Sequence, residues 1–350
     1  MERSTPRNLG YRWPAEWEPQ QSVWLAWPHD ESLWPTDLEP VREVFARLIC
    51  FLGSAQRVDL MVQDVEVEAL ARRRLAAAAD GTGFPDVRFH RILTDDCWVR
   101  DSGPTFLNPA GSSLRPQLAL GWHFNGWGKF EPFANDDAVP PAIASVLGIP
   151  LFRPDVVLEG GSIDGNGEGT CLTTEQCLLH PNRGNCLGKP ALERLLGDNL
   201  GVERTIWLGK GLAQDHTDGH VDVIARFVNS TTVVALATSD RADPSHDALA
   251  DNLRRLERAR TAKGERLTVV PLPLPEPVLF EGEPLAAGYA NFVIANGLVV
   301  VPTWDCPQDS AAIETLGKLF PTRRIIGLTS TILLRGGGSF HCITQQQPLS

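Results

Sequence analysis

Hydrophobic and polar residues along this chain form short periodic stretches that predict alternating strands and amphipathic helices. Apolar runs of four to eight residues are typical of strands, whereas apolar residues at every third or fourth position are typical of helices. The clearest helical face comprises Val41, Val44, Phe45, Leu48, Ile49 and Leu52. Because the two patterns alternate from end to end, an α/β fold is predicted.

The predicted elements cover most of the chain, with no low-complexity tract between them. Predicted strands are Ser22–Trp27, Arg57–Val62, Val87–Leu93, Leu118–Phe124, Val156–Glu159, Thr170–Thr174, Thr205–Leu208, His220–Phe227, Tyr289–Ala295, Leu298–Val301 and Arg324–Gly327. Predicted helices are Val41–Leu52, Val65–Ala79, Asp136–Leu147, Ser245–Ala262 and Asp309–Phe320. Hairpin turns are predicted at Asn166-Gly167 and Asn296-Gly297, and a loop at Pro271–Pro277.

Near the end of the chain, three consecutive glycines open the stretch from Gly336 to Pro348. Glycines permit positive φ and close approach of another group, and the alternating residues after them predict a short strand carrying Cys342. Taken alone, such a stretch is more often a turn leading into a core strand with a small buried thiol. The other polar stretches of the chain favour a working thiol instead.

Short polar, glycine-bearing stretches recur at intervals of 49 to 69 residues, marked by Gly103, Gly160, Gly219, Gly288 and Gly337. Five units of paired strands and a helix would fit this spacing. It is typical of a propeller-like or other repeat architecture in which each unit contributes a loop to a shared axis. Chance spacing is an alternative, because the chain has 31 glycines.

The composition narrows the class of protein. Hydrophobic residues make up 43% and charged residues 21% of 350 residues, and no run of 18 apolar residues predicts a membrane span. The first eight residues lack the apolar core of a secretory signal, so a cytoplasmic location is expected. A net charge of −11 with dispersed basic residues argues against nucleic-acid binding and is compatible with a cationic small substrate.

The seven cysteines are odd in number and scattered, and they include no C-x-x-C pair. This pattern argues against a disulfide framework and against a structural zinc site. Most of the thiols are therefore expected to be reduced and structural.

If the repeats bring their polar ends together, one site would hold a thiol, an imidazole and three carboxylates: Cys342, His220, Asp96, Glu159 and Asp222. Acidic groups of this kind suit a planar cation, and guanidinium is the one best matched by carboxylates. On a strand, His220 and Asp222 would point to the same face. The structural alternatives are that Asp96 caps a turn, that Glu159 pairs with Arg153 or Arg100, and that His220 is a core histidine.

Such a site predicts attack of the Cys342 sulfur on the guanidinium carbon, loss of ammonia, and hydrolysis of a covalent amidino-cysteine. His220 would donate a proton to the departing ammonia and then accept one from water. Asp96 and Asp222 would hold the guanidinium nitrogens, while Glu159 would contact the guanidinium or orient His220. No metal or organic cofactor is required.

Six stretches of the chain resemble the agmatine deiminase family, which also includes bacterial peptidylarginine deiminases. In chain order they are Trp98–Phe106, Phe124–Gly128, Leu158–Ile163, Gly167–Glu175, Thr217–Asp222 and Gly336–Pro348. The resemblance implies a single catalytic domain over residues 1–350, folded as a five-bladed α/β propeller (pentein) with pseudo-fivefold ββαβ repeats. It also implies Cys342 as the nucleophile and His220 as the acid and base.

The same resemblance implies that Asp96, Glu159 and Asp222 are the guanidinium-site carboxylates, and that the protein acts on agmatine. Substrate contacts are further predicted for Trp98, Trp127, His216, Arg100 and Asp101. The chain departs from agmatine-specific members at His216, where an acidic residue is expected, so the group recognised at the far end of the substrate stays open. A homodimer is among the expected assemblies.

Four alternatives accompany this hypothesis. Deimination of another guanidino compound or an arginine derivative uses the same site, and an amidinotransferase would replace water with an amine. A non-catalytic binding protein would not need the thiol, imidazole and carboxylates together. A thiol protease fits less well, because a developing oxyanion needs donors rather than carboxylates.

Overall fold

The computed structural model describes residues 4–34, 37–79, 83–111 and 114–350. The first three residues of the N-terminal stretch, on which the expectation of no secretory signal partly rests, lie outside these ranges. The strands are β1 (Tyr11–Arg12), β2 (Gln20–Ala26), β3 (Arg57–Val62), β4 (Val87–Arg91), β5 (Thr105–Pro109), β6 (Leu118–Leu120), β7 (Leu151–Phe152), β8 (Asp164–Gly165), β9 (Thr170–Thr174), β10 (Arg204–Leu208), β11 (Ala225–Phe227), β12 (Thr232–Ala237), β13 (Thr268–Pro273), β14 (Leu279–Phe280), β15 (Glu283–Pro284), β16 (Val293–Ala295), β17 (Leu298–Thr303), β18 (Arg324–Thr329) and β19 (Gln345–Pro348).

The helices alternate with these strands, which confirms the predicted α/β class. They are α1 (Leu38–Gly53), α2 (Val65–Ala78), α3 (Val99–Ser102), α4 (Ala134–Asp137), α5 (Val139–Leu147), α6 (Glu175–Leu178), α7 (Lys189–Leu200), α8 (Val221–Ile224), α9 (His246–Arg258), α10 (Gln308–Leu319) and α11 (Thr331–Leu334). Single turns of 3-10 helix cover Gly126–Gly128, Gly160–Ser162 and Pro181–Arg183. Within the described ranges, no helix combines the length and apolar character needed to span a bilayer.

Several sheets share one connectivity, in which an antiparallel pair is followed by a helix and a parallel strand. It is seen in β5-β6-β7, β8-β9-β10, β11-β12-β13 and β16-β17-β18. In the described part of the chain each sheet is open, and none closes on itself. The polar stretches precede the first strand of each unit, so the repeat predicted from glycine spacing corresponds to a real structural period.

A further sheet joins the two ends of the chain. β19 pairs antiparallel with β2, and β2 pairs parallel with β3 after α1, so the C-terminal strand supplies the first strand of this unit. The stretch carrying Cys342 is thereby fixed beside the N-terminal elements.

The hydrophobic cores lie between the helices and the sheets. On α1, the predicted apolar face is buried, and Phe45, Leu48 and Leu52 are fully enclosed against β3 and the neighbouring helix α2. Removal of these apolar side chains from water is the main favourable contribution to folding. The polar loops before each sheet are left free to carry chemistry.

Some predicted strands are absent for identifiable reasons. Residues 156–159 were predicted as a strand, but Val157 makes only an isolated bridge to His123. The side-chain amide of Asn185 instead accepts from the Val157 N–H and donates to its C=O, so no strand partner is needed.

At Asn166 the predicted hairpin is present, but its loop spans residues 166–169 rather than two residues. In the proline-rich segment predicted as a loop, β13 extends through Pro273.

The prediction of a strand through His220 and Asp222 is wrong. Residues 221–224 form the single helical turn α8, and the strand begins only at Ala225. The Asp215 carboxylate accepts hydrogen bonds from the Thr217 and Gly219 N–H groups, which keeps the preceding chain in a turn. Shared orientation on a strand therefore does not explain how His220 and Asp222 reach one site.

The prediction of a strand carrying Cys342 is also wrong. Cys342 lies in the turn before β19, because the Asn291 side-chain oxygen accepts from the N–H groups of His341 and Cys342. The Thr344 N–H then bonds back to the carbonyl of His341. The thiol thus projects from a tight turn rather than from an alternating strand.

Candidate active site

One cavity of about 330 Å³ leads to Cys342. Its walls combine aromatic rings with acidic side chains. The aromatic residues are Trp34, Trp98, Phe124, Trp127, Phe130 and Phe133, and the carboxylates are Asp30, Asp95, Asp96, Asp101, Glu131 and Asp136. Arg335, which pairs with Asp37, is the one lysine or arginine among the described lining residues. The acidic lining therefore favours a cation.

Cys342 is buried, with a residue exposure of 5%. Its Sγ lies 3.4 Å from Oδ1 of Asn291 and 4.0 Å from Oδ2 of Asp222. Burial raises the pKa of the Cys342 thiol well above its ordinary value, and the charges of Asp222 and Asp101 raise it further. In the empty site the sulfur is therefore a neutral thiol, which a bound cation would help to ionise.

Close approach of Cys342 to the cavity wall depends on Gly338. A Cβ at this position would lie 2.6 Å from the ring of Trp98 and 3.0 Å from Cβ of Cys342. Any larger residue would push the indole or the thiol away, so the glycine run predicted to allow close contact does so here.

His220 is fully buried between two carboxylates. Its Nδ1 lies 3.7 Å from Oδ2 of Asp101, and its Nε2 lies 3.6 Å from Oε2 of Glu159. Among the described residues, neither ring nitrogen has a hydrogen-bond partner. The ring is therefore held by the charges of the two carboxylates rather than by the close hydrogen bonds typical of a core histidine.

The charge of His220 follows from its neighbours. Burial alone would lower the pKa of His220, but Asp101, Cys177 and Glu159 outweigh burial and raise this pKa well above its ordinary value. The imidazole is therefore protonated in the empty site, as a proton donor to a departing group must be.

Asp222 lies on α8 and faces the thiol. Its Oδ2 is 2.7 Å from Nδ1 of His341, whereas its Oδ1 finds no partner in the part of the chain that the structure describes. Burial raises the pKa of Asp222, but the hydrogen bond and charge of His341, together with the charges of His220 and Arg226, outweigh burial and lower the pKa overall. The site thus holds an ionised carboxylate with one free oxygen.

Asp96 and Asp101 occupy different environments. Asp96 is partly buried, with its carboxylate accepting from its neighbour's backbone, the Cys97 N–H (2.7 Å), and from the Trp98 indole (2.7 Å). Asp101 faces His220 and also accepts from the Gly161 N–H at 2.9 Å. A Cβ at Gly161 would lie 2.5 Å from Nδ1 of His220, so this glycine permits the contact. Asp101, predicted only as a substrate contact, is thus the carboxylate beside the imidazole.

Burial raises the pKa of Asp101 to about 6 and that of Asp96 to about 6. For Asp101, the opposing charge of His220 lowers the pKa, while Asp222 and Glu159 raise it. Asp101 is therefore ionised at neutral pH, when a cationic substrate would need it.

Glu159 is fully buried and paired with Arg183, rather than with Arg153 or Arg100 as considered above. Nε of Arg183 lies 3.0 Å from Oε1 and 3.3 Å from Oε2 of Glu159. Burial raises the pKa of Glu159, but Arg183 and His220 together outweigh burial, so the pKa is lowered overall. Nη1 of Arg183 also lies 3.0 Å from Oδ2 of Asp218.

Replacing Arg183 with methionine should lower the free energy of unfolding by about 3–5 kcal/mol at pH 7.5, because the buried Glu159 carboxylate loses the cation that donates to both of its oxygens. Without the guanidinium the pKa of Glu159 rises, so the difference from wild type should shrink as the pH falls and this carboxylate becomes protonated. Urea unfolding at pH 7.5 and 5.5 measures both values.

The double variant Arg183→Met/Glu159→Gln is the matched control, since it removes both charges and should recover most of the lost stability. Equal stability of Arg183→Met and wild type at pH 7.5 would contradict this account of the pair.

Three potential metal ligands also meet at Glu159. One ligand atom each of Glu159, Cys177 and His220 lies within 4.8 Å of the others. However, both oxygens of Glu159 already accept from Arg183, and a guanidinium at this position disfavours a second cation. The residues therefore fit an ion pair better than a metal ion.

The other predicted substrate contacts separate into two groups. Trp98, Trp127 and His216 line the cavity, and the Trp127 indole donates to Oδ2 of Asp101 at 3.0 Å. Arg100 does not line it. The Arg100 guanidinium is buried on the other side of the Cys342 turn, where it donates to the His341 carbonyl and to Gln346. The structure thus places Arg100 as a support of this turn.

Sequence reasoning missed Arg183, Asn291 and His341, which contact Glu159, Cys342 and Asp222 respectively. Arg183 and Asn291 are single polar residues without a local pattern. His341 adjoins Cys342 in the glycine-led stretch, so its position was the one available signal.

The chain is similar to known proteins in both sequence and structure. A profile of the Porphyromonas-type peptidyl-arginine deiminase family matches residues 12–348. The agmatine deiminase of Pseudomonas aeruginosa (strain LESB58) is 38% identical, over 99% of this chain and 97% of that protein. The solved agmatine deiminase of Enterococcus faecalis superposes with a TM-score of 0.91 at 33% identity, covering 99% of this chain and 98% of that one.

A more distant structure, an amidinotransferase from Microseira wollei, is 11% identical with a TM-score of 0.54, covering 96% of each chain. At that identity the likeness concerns the fold alone.

The mixed α/β fold and these relatives define a hydrolase that acts on the C–N bonds of amidine or guanidino groups. The chain belongs to the Porphyromonas-type peptidyl-arginine deiminase family.

Proposed function

We propose that this protein hydrolyses agmatine to N-carbamoylputrescine and ammonia, a reaction that supplies a precursor of putrescine. The observation that carries the proposal is an unpartnered carboxylate oxygen beside a thiol. Oδ1 of Asp222 is buried without a hydrogen bond in the described structure, and Sγ of Cys342 lies 4.0 Å from Oδ2 of the same carboxylate. A guanidinium supplies the donors and the positive charge that this carboxylate lacks.

The cavity walls support a substrate with a second positive charge. Agmatine carries an amine at its far end, whereas free arginine carries a carboxylate there that the acidic lining would repel. Asp30 and Glu131 line the described cavity and offer partners to an amine, although His216 also lines it. The relative from Pseudomonas aeruginosa, named as an agmatine deiminase, supports the same choice.

In the proposed first step, Asp101 and Asp222 hold the guanidinium nitrogens against the sulfur. The bound cation offsets the burial and the two carboxylates that disfavour the Cys342 thiolate. The thiol proton then leaves to solvent, and the thiolate regains a proton after the products depart. Sulfur attacks the central carbon, and the tetrahedral adduct collapses with rupture of one C–N bond. Protonated His220 supplies the proton that lets this nitrogen leave as ammonia.

In the proposed second step, the covalent amidino-cysteine is hydrolysed. Neutral His220 accepts a proton from water, the hydroxide adds to the same carbon, and the C–S bond breaks to release the thiolate and the carbamoyl product. Glu159 keeps an anion 3.6 Å from Nε2 of His220 and so favours return of the imidazole to its charged form. Overall, one guanidine and one water give one urea and one ammonia.

We also propose that the units around the site form the blades of a five-bladed α/β propeller in one catalytic domain. The shared connectivity of the sheets supports this arrangement, as does the pairing of β19 with β2, which would join the last blade to the first.

Ammonia release and product mass distinguish the candidate functions. Purified protein is incubated with agmatine, free arginine, a blocked arginine peptide and guanidinobutyrate, each with and without an added primary amine. The proposal expects fastest release from agmatine and a carbamoyl product. Preference for the peptide would favour a peptidylarginine deiminase, an amidinated amine would reveal amidino transfer, and no turnover of any guanidine would overturn the enzyme proposal.

The neutral reagent iodoacetamide should alkylate the free enzyme slowly at pH 7.5, because the raised pKa keeps Cys342 a thiol. For each reagent, the rate with the enzyme is divided by its rate with free cysteine. This relative rate should be about 10- to 100-fold higher for the cationic reagent chloroacetamidine than for iodoacetamide, since its amidinium can pair with Asp101 and Asp222. Mass spectrometry of the Cys342 peptide against time measures both rates. Protection by agmatine is the control, and equal relative rates for the two reagents would contradict the proposed role of the carboxylates.

A further inference from the structure

His341 joins the active-site carboxylate to a second buried anion. Its Nδ1 lies 2.7 Å from Oδ2 of Asp222, and its Nε2 lies 3.0 Å from Oε2 of Glu16. All three residues are buried, with exposures of 2%, 0% and 8% for His341, Asp222 and Glu16. The imidazole therefore spans two carboxylates with no room for water between them.

Glu16 is itself held in place from behind. Its Oε2 pairs with the Arg226 guanidinium, and its Oε1 accepts from the Ile294 N–H at 3.0 Å. Arg226 in turn donates to Asp164 at 2.6 Å and to the carbonyl of Phe292 at 3.1 Å. Because these partners belong to β8, β11 and the chain leading into β16, the His341 ring is braced by three separate sheets.

The protonation of this chain of contacts follows from geometry. Each ring nitrogen of His341 faces a carboxylate oxygen, and carboxylates only accept, so the imidazole donates from both nitrogens. Asp222 also faces the charged groups His220 and Arg226 and the thiol of Cys342. The charge-assisted bond from His341 fixes one oxygen of Asp222 and keeps this carboxylate ionised against its burial.

The consequence for catalysis concerns the other oxygen of Asp222. With Oδ2 fixed by His341, the carboxylate plane is set, and Oδ1 has no partner in the described residues. A carboxylate free to rotate would lose the defined position that a planar guanidinium needs for directed hydrogen bonds.

We propose that His341 is a positioning residue that fixes Asp222 from behind, so that the free Oδ1 of Asp222 meets the guanidino group of the substrate. This role rests on the proposed function. His341 itself touches neither the substrate nor the reacting atoms.

Two neutral amides separate the two bonds of His341. The side-chain nitrogen of asparagine is placed as Nδ1 is, so His341→Asn can keep the bond to Asp222 and lose the one to Glu16. The nitrogen of glutamine is placed as Nε2 is, so His341→Gln keeps Glu16 and loses Asp222. We expect kcat/KM for agmatine to fall roughly 10- to 100-fold in His341→Gln, which is the loss expected for one charge-assisted hydrogen bond. The loss in His341→Asn should be several-fold smaller.

The pH profile adds a readout that a merely structural role would not move. Without its donor, Asp222 should bind a proton more readily, so the acid limb of kcat/KM should move to higher pH in His341→Gln and much less in His341→Asn. Thermal unfolding checks that both variants are folded. If the wild type is active but the two variants have equal kcat/KM and equal acid limbs, the role of His341 is overturned and the proposed function is not. A wild type that releases no ammonia from any guanidine would overturn the proposed function and this role with it.

Discussion

Cys342→Ser should release ammonia from agmatine at least about 10⁴-fold more slowly than wild type. Serine keeps the size of the side chain, but its hydroxyl is a far weaker nucleophile, and the buried site offers no strong base beside it to remove the proton. Asn291 and Asp222, which contact Sγ, should still hold the hydroxyl. The loss is therefore expected in kcat rather than in folding. A continuous ammonia assay measures it.

Calorimetry of agmatine binding separates chemistry from recognition in this variant. In the proposed mechanism Asp101 and Asp222 hold the guanidinium and the sulfur does not, so Cys342→Ser should bind agmatine with a Kd within a few-fold of the wild-type KM. The exposed thiol gives the matched control, since Cys186→Ser should retain wild-type kcat. Activity of Cys342→Ser above one-hundredth of wild type would exclude Cys342 as the nucleophile.

The sequence predicts the elements that have a long apolar period. α1 is the clearest case, because its buried apolar face repeats from Leu38 to Leu52. The bounds predicted for α2, α9 and α10 also agree with the structure within a few residues, and those predicted for β3 and β9 agree with it fully.

The elements that carry the site are the ones that periodicity predicts poorly. α8 is one helical turn, and four residues cannot show a period that distinguishes a helix from a strand. The turn at Cys342 depends on Asn291, about 50 residues earlier in the chain, so no local pattern encodes it. Tertiary hydrogen bonds decide these segments.

The choice between Asp96 and Asp101 shows the same limit. Both precede β5 in one acidic stretch, and the sequence does not reveal which carboxylate turns inward. In the structure α3 directs Asp101 to His220, while the indole of Trp98 binds Asp96. Residue type therefore predicts that carboxylates lie at the site, whereas the local turn decides which of them faces His220.

His220→Gln should lower kcat for agmatine by about 10²- to 10⁴-fold, because glutamine can neither give a proton to the departing ammonia nor take one from water. The pKa of His220 is raised, with Asp101, Cys177 and Glu159 outweighing burial, so wild-type activity should be full between the acid limb and this pKa and be lost as the pH rises through it. That alkaline limb should be absent from the pH profile of His220→Gln. His246→Gln, at a half-exposed position beside Asp247, is the control and should match wild type. A His220→Gln protein that keeps one-tenth of wild-type kcat, or the same alkaline limb, would assign proton transfer to another group; the described neighbours of the thiol leave Asp101 as the next candidate, since burial holds its pKa at about 6.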